Sequence, residues 1–84
     1  MKVQVRFFAS IREAAGVDAR DVVLPDDADF ARLISTLEAE LPAPALHALR
    51  GENVRLALNQ ELVRPPFELA EGDEVAFLPP VTGG

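Results

Sequence analysis

Polar and apolar residues alternate from Lys2 to Phe8: Val3, Val5 and Phe7 fall on one side, Lys2, Gln4, Arg6 and Phe8 on the other. A period of two predicts a strand with one buried face. Ser10-Ile11-Arg12-Glu13 has capping-box spacing, which predicts a short helix that Gly16 ends. Arg20 to Leu24 reads as a second strand closed by Pro25. The pattern then changes period. Phe30, Leu33, Ile34, Leu37 and Leu41 form one apolar stripe at helical spacing, with Asp29 as N-cap and Pro42 and Pro44 as stops. Asp26, Asp27 and Asp29 suit the positive end of that helix, and no further ligands follow at calcium-loop spacing. Residues 44–50 predict another short helix before Gly51. Val54–Leu58 and Glu61–Val63 predict two strands joined at Asn59-Gln60, because asparagine accepts the positive φ of a tight hairpin. Pro65-Pro66 forces an extended link, Glu71-Gly72-Asp73 a turn, and Glu74–Leu78 reads as the last strand. The expected class is α+β: a mixed sheet of about five short strands with one main helix across a face. Val3, Val5, Phe7, Val22, Leu33, Ile34, Leu37, Val75 and Phe77 are the expected core.

Composition narrows what such a domain can do. At 84 residues there is one domain, with no repeat, linker or low-complexity tract. A formal net charge of −6 argues against binding nucleic acid or an anionic membrane. No apolar run approaches a bilayer span, and the first residues lack the hydrophobic stretch of an export signal, so a cytoplasmic location is expected. The absence of cysteine removes disulfides, thiolate metal sites and cysteine nucleophiles. The single histidine, His47, sits in an Ala/Leu segment without an evident partner, which fits a surface residue better than a catalytic base. One histidine among scattered carboxylates is also a poor transition-metal site, so no bound metal or cofactor is expected.

The remaining chemistry lies at the end of the chain: Pro79-Pro80-Val81-Thr82-Gly83-Gly84. The prolines stop the strand and stiffen its exit. Six extended residues reach ~20 Å, far enough to enter a partner's cleft. Gly83 and Gly84 have no Cβ, so a narrow channel can close on their backbone, and a terminal glycine carboxylate is open to attack on a nucleotide phosphate. Two terminal glycines arise by chance in roughly 0.5% of chains at average glycine use. The pair gains weight from the Pro-Pro spacer and the compact acidic body. The division expected is a body over residues 1–78 and a flexible functional tail over 79–84.

Phe7-Phe8-Ala9, Arg12-Glu13, Asn59-Gln60-x-Leu62-Val63 and the run from Gly72 to Gly84 closely resemble the small subunits of molybdopterin synthase, ubiquitin-like sulfur carriers of the β-grasp fold. The resemblance covers nearly the whole chain; it is most specific in the final thirteen residues and weakest over 40–53. It implies that a ubiquitin-activating-type adenylyltransferase uses Mg-ATP to adenylate Gly84. A sulfur donor then displaces AMP to leave a thiocarboxylate. The resemblance further implies that the tail enters the synthase large subunit, in a heterotetramer of two large and two small subunits. There the sulfur passes to cyclic pyranopterin monophosphate to build the molybdopterin dithiolene. On this resemblance Gly84 bears the sulfur, while Gly83, Thr82, Val81, Pro80 and Pro79 thread the channel. Acids and bases, ATP and magnesium belong to the partners, so the chain itself is a carrier rather than a catalyst.

Three other readings share parts of the pattern: a carrier for thiamine thiazole synthesis or amino-acid thiolation, a protein tag forming isopeptide bonds through Gly84, and a plain interaction module. The Phe-Leu-Pro-Pro-Val-Thr-Gly-Gly end favours the molybdopterin type. Alternation also places Phe8 and Leu78 on the face away from the core. With the last strand beside the first, as the resemblance implies, they share a patch at the root of the tail. Leu62 matches the family's third apolar contact, and Arg12 is expected at the rim. Isolated surface hydrophobes are ordinary, but a contiguous patch there suits a partner interface. The large subunit and the activating enzyme are expected to use it in turn, so that their binding is mutually exclusive.

Overall fold

The computed structural model describes residues 1–80, in the order β1 (Lys2–Phe7), α1 (Ala9–Ala15), β2 (Ala19–Val23), α2 (Phe30–Glu40), α3 (Ala43–Leu49), β3 (Arg55–Leu58), β4 (Glu61–Val63) and β5 (Glu74–Leu78). The five strands make one mixed sheet in the order β2-β1-β5-β3-β4. Its centre joins the two ends of the sequence: β1 and β5 run parallel, from Gln4 opposite Glu74 to Phe7 opposite Phe77. The other pairs are antiparallel.

Burial follows the alternation. Val3, Val5, Phe7, Val75 and Phe77 are at most 2% exposed on the inner face, against Leu33 and Leu37 of α2. The rings of Phe7 and Phe77 stack at 6.2 Å, and Phe30 lies 6.2 Å from Phe77 and 4.9 Å from Phe67. Asp29 caps α2 as expected, its Oδ1 accepting from the Arg32 N–H at 2.9 Å. Ile34, expected in the core, is only half-buried. Leu33, Leu37 and Leu41 carry the centre of the stripe, whereas Phe30 and Ile34, one turn apart, form its flank. Ile11, Leu24, Ala28, Ala45, Leu56 and Leu69 complete the core from short segments whose period is too brief to read.

Two local expectations are corrected. β1 stops at Phe7, and Phe8 is the N-cap of α1, extended at φ −120° and ψ 150°. The Ser10–Glu13 capping box does not form. The helix begins at Ala9, so Ser10 already lies in its first turn, and no side chain caps it. The Phe8 carbonyl instead accepts from the N–H groups of Ile11 (3.0 Å) and Arg12 (3.2 Å). The change of direction is concentrated at Ala9, whose φ is +48°. At the other end Gly16 takes the left-handed conformation as expected, at φ +81°, and its N–H bonds the Arg12 carbonyl.

Candidate functional site

The outer face of the sheet can be read off the register, since directly paired residues point the same way. Arg6 pairs with Ala76, Ala76 with Ala57, and Ala57 with Leu62. The next row begins where Phe8 follows Phe7 and continues through Leu78, which pairs with Arg55. These two rows bring together the three apolar residues expected at a docking surface. Ala57 and Ala76 are small and lie low in the middle of the patch, 8% and 4% exposed. Leu62 stands above them at 65%, one of three large hydrophobes left exposed among the described residues. Phe8 and Leu78 are half-buried. The Arg6 guanidinium lies 5.2 Å from the Phe8 ring centroid and 4.0 Å from Glu74, which fixes that edge of the patch.

Arg12 is rooted at the same edge through its N–H bond to the Phe8 carbonyl. Its side chain is exposed and lines a separate recess with Glu13, Gly16 and Asp18. The strand ends at Leu78; Pro79 is half-buried and Pro80 exposed. Val81, Thr82, Gly83 and Gly84, the remainder of the expected tail site, lie outside the described residues. The tail therefore leaves β5 directly beside Leu78, at the end of the outer patch.

His47 is exposed on α3, and among the described residues no group of three His, Asp or Glu side chains is placed to hold a metal. No helix among them is long and apolar enough to cross a membrane.

Asn59 does more than turn the hairpin. Asn59 and Gln60 have φ of +50° and +71°, the pair of positive values expected of a two-residue turn. In addition, the Asn59 amide donates to Asp73 Oδ1 and its carbonyl oxygen accepts from the Glu74 N–H, both at 2.9 Å. The other Asp73 oxygen accepts from the Ala70 N–H at 2.8 Å. The hairpin is thus tied to the turn that launches β5, so two distant sequence motifs are one structural unit. A side chain with both a donor and an acceptor at the hairpin was the only signal in the sequence.

A profile of the ThiS family matches residues 5–84. Over 86 residues the chain is 42% identical to the molybdopterin synthase sulfur carrier subunit of Chlamydomonas reinhardtii, covering 100% of both chains. Among solved structures, SAMP1 of Haloferax volcanii superposes with a TM-score of 0.86 at 26% identity over 100% of each chain. A chain in the complex of subunits 1 and 2 of molybdopterin-converting factor from Helicobacter pylori 26695 does so with a TM-score of 0.75 at 29% identity, again over 100% of each. Matched along its whole length in both sequence and fold, this chain belongs to the ThiS family of ubiquitin-like β-grasp proteins, among the relatives of the molybdopterin synthase sulfur carrier subunits.

Proposed function

We propose that this protein carries sulfur on its C-terminal glycine for the synthesis of molybdopterin. The observation that carries the reading is the full-length likeness to a molybdopterin synthase sulfur carrier subunit, combined with an intact Pro-Pro-Val-Thr-Gly-Gly end. The Gly84 carboxylate attacks the α-phosphate of Mg-ATP in an adenylyltransferase, and pyrophosphate leaves. Hydrosulfide attacks the acyl carbon, AMP leaves and the sulfur loses its proton, which gives the thiocarboxylate. Activation is required because a carboxylate has no good leaving group, and the adenylate supplies one. The tail then delivers the sulfur to cyclic pyranopterin monophosphate inside the large subunit. The complex of subunits 1 and 2 in the Helicobacter relative supports a large-subunit partner. Phe8, Leu62 and Leu78 form the apolar docking patch, with Arg12 at its rim.

The likeness to SAMP1, named a small archaeal modifier protein, favours a second reading in which Gly84 joins another protein through an isopeptide bond. Reconstitution separates the two. The thiocarboxylated chain, mixed with a large subunit and cyclic pyranopterin monophosphate, is expected to yield molybdopterin, and the carboxylate form none. Equal yields from both forms, or no product from either, would refute the carrier reading.

A further inference from the structure

The β3–β4 end of the outer face carries a feature that the apolar patch does not use. Leu56 pairs with Val63 at the end of the hairpin register, and Arg55 and Arg64 are the next residue on either side of that pair, Arg64 just past the end of β4. Both are exposed, and both line a cleft of about 540 Å³ at the open end of the hairpin, together with Leu62, Asn53 and Pro65. This chain has fourteen Asp and Glu to eight Lys and Arg, yet among the described residues neither arginine has an ion-pair partner. Lys2, Arg6, Arg20 and Arg50 each have one; Arg12 and Arg32 also lack one among the described residues, but only Arg55 and Arg64 line the same cleft. Two exposed arginines without a counter-charge, lining one cleft, suit a carboxylate supplied from outside.

We propose that Arg55 and Arg64 bind an Asp or Glu side chain of the synthase large subunit, extending the docking surface beyond the apolar patch and adding an electrostatic contact to it. The inference rests on the carrier reading for the identity of the partner. Continuity supports that partner: Arg55 pairs with Leu78, and Leu62 borders the cleft, so a protein seated on the patch reaches the arginines. A second copy of this chain is disfavoured as occupant because each copy carries a net charge of −6.

The test is calorimetric titration of the intact chain and of an Arg55→Gln/Arg64→Gln variant against the large subunit, at low and at physiological salt. The variant is expected to bind about tenfold more weakly at low salt and to lose most of the salt dependence that the unmodified chain shows. Its melting temperature should be nearly unchanged, since both side chains are exposed. An Arg55→Lys/Arg64→Lys variant should retain the salt dependence while losing part of the affinity, because lysine cannot make the bidentate contact. Unmodified affinity in the glutamine variant at both salt concentrations would overturn the inference, and if Phe8→Ala still weakened binding the carrier reading would stand. Absence of any binding by the unmodified chain would overturn both. Dimerisation of the unmodified chain that the glutamine variant abolishes would assign the arginines to a second copy and overturn the inference alone.

Discussion

The two faces of this sheet are made by the same strands, yet they answer to different demands. On the inner face Val5, Val75 and Phe77 are at most 1% exposed and pack against Leu33 and Leu37. On the outer face their immediate neighbours in sequence, Arg6, Ala76 and Leu78, make a shallow surface beside the departing tail. The middle of that face, where Ala57 pairs with Ala76, is apolar rather than charged. β5 is thus a support as well as a core strand. Lying between β1 and β3, it holds the root of the tail in register with Phe8 on one side and Arg55 on the other.

If the division between faces is right, substitutions should sort cleanly into those that change stability and those that change function. The largest functional effect is expected at the tail. Deleting Gly84, or a Gly83→Val change that adds a branched side chain to the segment proposed to thread the partner, should abolish sulfur transfer while leaving thermal melting nearly unchanged. Reconstituted molybdopterin synthesis and a melting curve on the same sample check both halves. On the inner side, Leu37→Ala should destabilise the fold by about 2–5 kcal/mol through the cavity it leaves, measured by denaturant unfolding. On the outer side, Phe8→Ala or Leu78→Ala should weaken binding to the large subunit and to the activating enzyme by more than ~1 kcal/mol each. Titration calorimetry of the folded variants reads this directly, and unmodified affinity with both partners would remove the patch from the account. An effect on stability alone is expected at the seam between hairpin and tail-bearing strand. Asn59→Ala removes two side-chain hydrogen bonds and should cost about 1–2 kcal/mol of stability in the same unfolding experiment, without altering partner affinity.

How much of this was legible depended on the length and regularity of each segment. The helix α2 and its Asp29 cap follow from an apolar stripe sustained over three turns, and the β3–β4 hairpin from a two-residue turn whose Asn tolerates positive φ. The start of α1 was misread because Ser10 and Glu13 have capping spacing, whereas the strand runs into the helix through Phe8 and a left-handed Ala9. Local pattern alone could not show that β1 gives way to a helix one residue early. The docking face was half legible. Alternation places Phe8 and Leu78 away from the core, but only the register of β4 against β3 puts Leu62 beside them. That Arg55 and Arg64, nine positions apart, line one cleft was invisible for the same reason: the hairpin register decides it, and no local spacing encodes it.

Whether Gly84 carries sulfur can be read from the intact mass of the chain. The purified chain is incubated with a ubiquitin-activating-type adenylyltransferase, Mg-ATP and a sulfide source, then weighed and fragmented. Replacement of one terminal oxygen by sulfur is expected, a gain of about 16 Da that fragmentation assigns to Gly84 and that deletion of Gly84 removes. An unchanged mass under conditions that consume ATP, or a gain the size of a second protein, would contradict the account.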